Sequence, residues 1–282
     1  LSLVGSEMCI RDSNYSIGGN ITYSRFWDWE QYKPRFSNSW DEYRNSIWHR
    51  VGYVNWGYEA IGRFQNWEQI ANYPIDNDRK GNRTVVPGDI MYKDQNNDGV
   101  INYLDERPIG YRVDSTPTLN FGINLSASWK GFDLAMDWTG SGMTSWNQCY
   151  ETARPFQNDG NSPDEVLKDA WHLSDIWDAN SPLIPGKYPM IRLNTDETSA
   201  YDKSSYWLHN VTYLKLRNLE VGYTFPKTWL NKTGISNLRL FVSGTNLLTL
   251  SNLSVMDPEC ASDNGLDYPP MRVINIGVNL KF

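Results

Sequence analysis

The densest set of residues able to do chemistry runs from Asp94 to Asp105, in the string DQNNDGVINYLD. Asp94, Asn96 and Asp98 stand at positions 1, 3 and 5 of a twelve-position calcium loop, Gly99 takes the turn at 6, Val100 offers its carbonyl at 7, and Asn102 and Asp105 fall at 9 and 12. Hard oxygen ligands alternating along a tightly turning backbone converge on one cation. Asp at position 12, in place of a bidentate Glu, weakens such a site, and no flanking helix pair is evident. The same residues also spell an Asx-rich turn whose side chains bond their own backbone without a metal. Both readings stand on sequence.

The other chemistry-bearing types are more scattered. Trp27, Trp29, Trp40, Trp48, Trp56 and Trp67 crowd one long polar stretch, where they either stack on sugar rings or pack the stretch together, the commoner use of such rings. His49, His172 and His209 are far apart with no ligand spacing, and none is assigned to chemistry. Cys149 and Cys260 either pair in an oxidising compartment or are two unrelated thiols. No nucleophile elbow, zinc pattern or phosphate-binding glycine loop is present, so the sequence reads as that of a non-enzyme. A net charge of -7 argues against a nucleic-acid partner.

The elements that must carry these loops are strands. A mean hydropathy of -0.58 and the lack of any run of about 18 apolar residues exclude a helical membrane span, but not a β-barrel, whose strands hide their hydrophobicity in alternation. Tyr15, Ile17, Gly19, Ile21 and Tyr23 alternate with polar residues and Gly18; so do Leu119–Trp129, which leads through Lys130-Gly131 into Phe132, Leu134, Met136 and Trp138. Further strands are read at Leu219–Phe225, at Leu238–Val242 and at Val273–Phe282. In the last, Ile274, Ile276, Val278, Leu280 and Phe282 share one face, and Asn275, Asn279 and Lys281 the other. A charge near the bilayer midplane costs up to about 2–4 kcal/mol for Lys or Arg and less for Asp, so the face bearing Asp133 and Asp137 is expected to look into a wet lumen. The apolar phase changes between Leu214/Leu216 and Leu219. That change signals either a bulge near Arg217-Asn218 or an upper half-strand clear of the bilayer, and the second is preferred because it lifts Lys215 and Arg217 to the interface.

Six membrane-length strands result, joined by connections of about 90, two, about 70, about ten and about 20 residues, so that short turns fall on one side and long loops on the other, as in outer-membrane barrels. Strand-like residues at 51–64 and a short helical suggestion at 162–171 lie within the long loops. Thirteen Trp and 17 Tyr suit interfacial girdles or sugar-stacking platforms as well as an aromatic β-core. Six strands cannot close a membrane barrel, so the expected fold is all-β, a partial antiparallel transmembrane β-barrel with long extracellular loops.

Several ordered blocks add a resemblance. Gly88-Asp89-Ile90, Tyr92-Lys93-Asp94, Asn97-Asp98-Gly99-Val100-Ile101-Asn102 and Pro108-Ile109-Gly110 resemble the GDI-x-Y-KD-x-N-x-DG-x-I element of the SusC/RagA family of TonB-linked outer-membrane transporters. The similarity continues through Pro117–Gly122, Trp129–Leu134, Tyr213–Asn218 with Gly222-Tyr223, Gly244–Leu248 and Asp257-Pro258-Glu259. It implies a 22-stranded barrel with an N-terminal plug, of which these would be the last six strands. It also implies import of oligosaccharides or peptides, a SusD-like surface lipoprotein as lid, the TonB complex as energy source, and no required cofactor beyond the calcium suggested by the loop. The terminal Phe282 resembles the aromatic that the barrel-assembly machinery recognises. Residues 14–282 are expected to be the C-terminal barrel part, with plug and earlier strands upstream. Leu1–Ser13, containing Glu7-Met8-Cys9-Ile10-Arg11-Asp12, resembles a translated sequencing adapter and is expected to be an artefact. Two other functions compete: a TonB-dependent siderophore or cobalamin receptor, and a secreted β-protein that binds glycan through a calcium loop.

Overall fold

The computed structural model describes residues 2–10, 13–30, 32, 34–52, 54–111, 117–193, 198–231, 234–259 and 265–282. Seven strands form one sheet in chain order, each antiparallel to the next: β1 (Ser2–Ile10), β2 (Ser13–Tyr23), β3 (Leu119–Trp129), β4 (Phe132–Asn147), β5 (Leu208–Thr224), β6 (Asn237–Ser251) and β7 (Val273–Lys281). Six of these are the strands read from alternation. The seventh, β1, lies on β2 at the sheet edge. An edge strand is held by main-chain hydrogen bonds that most sequences can make, so this pairing is indifferent to the origin of the segment.

Register follows from the alternation and is pinned by one turn. Lys130 and Gly131 both have positive φ, 48° and 89°, the requirement of a two-residue type I′ hairpin, and Trp129 pairs directly with Phe132. Apolar residues then line up in cross-strand rows such as Tyr15, Ala127, Leu134, Val221, Val242 and Ile276. A polar row one residue away holds Ser16, Ser126, Ala135, Glu220, Ser243 and Asn275. Asp133, Asp137, Asn275, Asn279 and Lys281 all fall in the polar phase, as their spacing predicts. Every residue of β2, β3 and β7 is exposed or half-buried, with Ile276 82 % exposed, so this sheet keeps its apolar face for lipid and carries no core there.

The polar face is tied across three strands. Arg239 on β6 reaches over β5 to Asp133 on β4, donating from Nε at 3.1 Å, and its Nη2 donates to Glu220 at 2.6 Å. Gly222 makes that crossing feasible: a Cβ there would stand 2.5 Å from Arg239 Nη2 and 2.6 Å from Asp133 Oδ2. Asn124 donates to Asp137 at 2.7 Å, two rungs beyond Asp133 on the same face.

The phase change on β5 is a bulge. Asp137 pairs with Asn218 and Trp138 with Leu216, leaving Arg217 as the extra residue, while β6 skips Asn246 and Leu247 opposite the same point. This corrects the preference for the other explanation. The bulge arises because Lys215, Arg217 and Asn218 must all present polar groups to one face, which unbroken alternation forbids. Beyond it β4 and β5 continue as a tall ribbon past the ends of β2 and β3, and there both of its faces become covered, with Ser145, Trp146, Leu208 and Val211 buried.

The long connections fold into a cap whose core is the largest among the described residues. Tyr58, Ile90, Tyr92 and Ile101 from one connection pack with Ala153, Val166, Ala170, Tyr188, Tyr201 and Trp207 from the other. Small ribbons stiffen it: Asn55–Gly57 with Arg107–Gly110, Ala60–Arg63 with Ile90–Tyr92, and His172–Leu173 with Leu183–Ile184. The strand-like stretch at 51–64 becomes two of these strands, and the helical suggestion at 162–171 becomes the one-turn helix Asp164–Lys168.

Candidate functional site

The GDI block is where the two long connections are locked together. Gly88 has φ of 92° and lies against Trp171, whose Cγ would be 2.5 Å from a Cβ at this position, so only glycine fits. Asp89 is fully buried, accepts from the Val86 amide at 3.0 Å and meets Arg192 Nη2 at 2.7 Å. Burial outweighs the Arg192 charge and pushes the Asp89 carboxyl up to about 6. Arg192 also donates to the Thr84 carbonyl and the Thr198 hydroxyl, and Arg63 donates to the carbonyls of Gly88, Gly186 and Lys187. Tyr92 donates its hydroxyl to the Ser199 carbonyl at 2.7 Å, and its amide bonds Asn77.

The block runs directly into the calcium-loop string. Carboxylate oxygens of Asp94, Asp98 and Asp105 come within 4.8 Å of one another, with Asp105 buried. Asp94 accepts from the amides of Asn97 and Gly99, Asp98 from Val100, and Asp105 from Gln95 and Asn102. Asn97 and Gly99 supply the positive φ values, 60° and 81°, that the turn needs. Asn96 and Asn102 direct their amide groups at Asp98, at 2.8 and 3.4 Å, and Asn102 Nδ2 also bonds the Val100 carbonyl. Three of the six sequence-predicted ligands therefore converge, and Asn96, Val100 and Asn102 are engaged in the turn around them. A carboxylate has about four lone-pair sites, so the two amide bonds on Asp94 and on Asp105 and the three on Asp98 still leave each Asp a site for a cation.

A second constellation went unnoticed as a site in the sequence, although both of its halves lie in the quoted blocks. Lys215, 1 % exposed, places Nζ 2.9 Å from Asp257 Oδ2 and 2.8 Å from Glu259 Oε2. Arg217 Nη1 donates to Glu259 at 3.1 Å and to Asn246 at 3.1 Å, and the Tyr213 hydroxyl donates to Glu259 at 3.2 Å. Leu253, Val255 and Met256 sit beside this clasp on Trp146, Val211 and Tyr213. Residues 252–259 are thus folded against the polar face of β4 and β5 and fixed there by charge. The signal was the matching of Lys-x-Arg on β5 with Asp-x-Glu in the β6–β7 connection.

The aromatic residues divide. Trp56 packs edge to face with Trp40 and Tyr43, which are tilted against each other, with Arg44 over Trp56 at 4.7 Å and Arg107 over Trp40 at 4.8 Å, so Trp40 and Trp56 have their faces taken by the protein itself. Trp27, Trp29, Trp48 and Trp67 are exposed, with Trp29 tilted against His49. His49, His172 and His209 do not meet: His172 Nδ1 lies by the Ala170 carbonyl, and His209 Nε2 by Gln148. Cys260 lies outside the described residues, and with it the pairing suggested for Cys149.

No family model matches the chain. It is 30 % identical over 243 residues to TonB-dependent receptor P3 of Formosa agariphila, covering 79 % of this chain and 22 % of that protein. With TonB-dependent receptor SusC of Bacteroides thetaiotaomicron it shares 24 % over 252 residues, 83 % of this chain and 20 % of the relative. The chain is similar to TonB-dependent receptors of the SusC/RagA type along about four fifths of its length. The solved structure of the RagAB peptide importer in its closed-closed state superposes with a TM-score of 0.62 at 21 % identity, over 99 % of this chain and 28 % of that one, and establishes the shared fold. As a SusC/RagA-type chain it is part of an outer-membrane β-barrel, and it spans about a fifth of the length of the curated relatives it matches. The family blocks now have structural content: GDI holds the cap together, KD-x-N-x-DG-x-I is the carboxylate turn, and K-x-R with D-P-E is the clasp.

Proposed function

We propose that the whole protein imports a nutrient molecule across the outer membrane, energised by the TonB complex, with this chain as the C-terminal wall of its barrel and one side of its outer mouth. The observation that carries this reading is the 30 % identity to a TonB-dependent receptor along 79 % of the chain. The one-sided placement of the folded cap, opposite the two-residue hairpin, agrees with it. The substrate is an oligosaccharide or a peptide, received with a SusD-like surface lipoprotein as lid. Exposed Trp67 would serve either cargo. Deleting the gene should abolish growth on one such substrate without affecting growth on its monomer, and deleting TonB should reproduce the defect. Uptake that survives both deletions would overturn the reading. Phe282, 84 % exposed, is the proposed assembly signal, and its removal should lower the amount of barrel in the outer membrane.

We further propose that Asp94, Asp98 and Asp105 hold a hard divalent cation, calcium above all, within the cap. Calorimetric titration of the full-length protein should give heat at millimolar calcium that D98N abolishes; an identical trace for wild type and D98N would reduce the loop to an Asx turn.

A further inference from the structure

A cavity of about 820 Å³ lies where the end of β2 meets the tall β4–β5 ribbon, lined by Tyr23, Arg25, Phe26, Val54, Met143 and Asn210 among others. Its place relative to the bilayer follows from strand phase. Tyr23 closes the column Tyr15, Ile17, Gly19, Ile21, and so belongs to the lipid face of β2. Asn210 is in phase with Leu214 and Leu216, which pair with Gly140 and Trp138 on that same face. Residues 252–259 cover the opposite face of the ribbon. The cavity therefore opens on the outside of the barrel, at the level where the long-loop ends of β2 and β3 leave the membrane, and not into the lumen.

Its chemistry is graded. Tyr23, Phe26, Val51, Val54, Pro108, Tyr111 and Met143 give an apolar lining continuous with the lipid-facing column, and Phe26 and Tyr23 are 56 % and 57 % exposed. Polar groups gather on Ser24, Thr118 and Asn210, and Arg25 is the one charged residue among the described residues that line it. Exposed Trp27 and Trp29 follow Phe26 in the chain and exposed Trp48 stands just before Val51, as amphipathic rings do at a membrane interface. An apolar trough opening to acyl chains, with a single cation among hydrogen-bond donors at the headgroup level, matches an anionic lipid and mismatches a zwitterionic one.

We propose that this cavity is a binding site for one anionic, acylated lipid of the outer leaflet, its chain against Phe26, Val54 and Met143 and its phosphate at Arg25. The proposal rests on the orientation of the barrel wall, and not on which nutrient passes through it. The site lies beside the first residues of the cap, so an occupied pocket would brace Trp27–Asp28 and Arg50–Val51, which pair as a two-residue ribbon.

The test uses the full-length protein in nanodiscs of phosphatidylcholine carrying a minor fraction of phosphatidylglycerol, with retained lipid measured by native mass spectrometry. Wild type should keep one phosphatidylglycerol. R25E should lose it by about tenfold, R25K should keep it, and V54W should lose it by filling the trough. Heat-modifiable migration of each variant checks that the barrel is folded, independently of uptake. Equal retention by wild type and R25E, equal retention of phosphatidylcholine, or displacement of the lipid by inorganic phosphate alone would each overturn the proposal.

Discussion

Asp89 shows how one residue gives the cap a dependence on pH. Its carboxyl is raised to about 6 in the folded protein against 3.8 for the exposed group, so between those values the folded cap binds a proton that the unfolded chain releases. Stability contributed at this site therefore falls as pH rises from about 4 to 6 and is at its lowest above 6. Protease nicking of residues 24–118 is expected to be several-fold slower at pH 5 than at pH 7.5, and D89N should flatten the difference while leaving the cap folded, since an amide still accepts from Val86. A dependence unchanged in D89N would assign it to other groups. Lys215 is the converse case, a buried cation satisfied by two carboxylates. Replacing it with Met leaves Asp257 and Glu259 facing each other with only Arg217 to compensate, a loss of about 3 kcal/mol at the clasp by analogy with broken buried pairs. Its readout is cleavage within residues 252–272, rapid in K215M and slow in the wild type.

At the scale of strands, glycine placement decides what the polar face can do. Gly222 lets Arg239 span two strands to Asp133; Gly222→Val would push the guanidinium aside and break both of its ion pairs. The expected cost is about 1–3 kcal/mol, seen as a lower temperature for the heat-modifiable transition, and D133N should add little once Gly222 is Val because the two act on one contact. The strands themselves were readable because period-two alternation survives wherever one face meets lipid and the other water: Leu119–Trp129, the Lys130-Gly131 turn and Val273–Lys281 emerge where their patterns place them. The bulge at Arg217 was visible only as a change of phase, for which two causes compete until Lys215 is seen to need Asp257 and Glu259, residues about 40 positions away. The cap was illegible for the same reason. Its core joins Tyr92 to Trp207 through contacts distant in sequence, and its short ribbons and one-turn helix have too few residues to show a period. Of the candidate site, the turn of Asp94–Asp105 is local and was read directly, whereas the Asp89–Arg192 lock spans 103 residues and was not.

For the molecule as a whole, the separation of cores predicts a separation of stabilities. The sheet is held by neighbouring strands and by lipid on its apolar face, while the cap owns the buried aromatic core. Trp207 is the centre of that core: it is 1 % exposed, donates from Nε1 to the Ala200 carbonyl at 2.8 Å, and lies against Tyr188, Tyr201 and Tyr206. W207A removes a ring with neighbours on several sides and leaves that carbonyl unpaired, a destabilisation of about 3–5 kcal/mol, enough to unfold a marginal unit. If cap and wall are distinct in stability, W207A protein still reaches the outer membrane and still migrates as a heat-modifiable barrel, yet its residues 24–118 and 148–207 become sensitive to external protease together, because each connection supplies half of the one core. Sensitivity confined to 148–207 would mean that the first connection is stable alone, and loss of the barrel band would mean that cap and wall fold as one. Joint exposure with an intact barrel is the expected outcome, since no residue of β2, β3 or β7 is buried against the cap and β4 and β5 bury residues there only in the ribbon beyond the ends of β2 and β3.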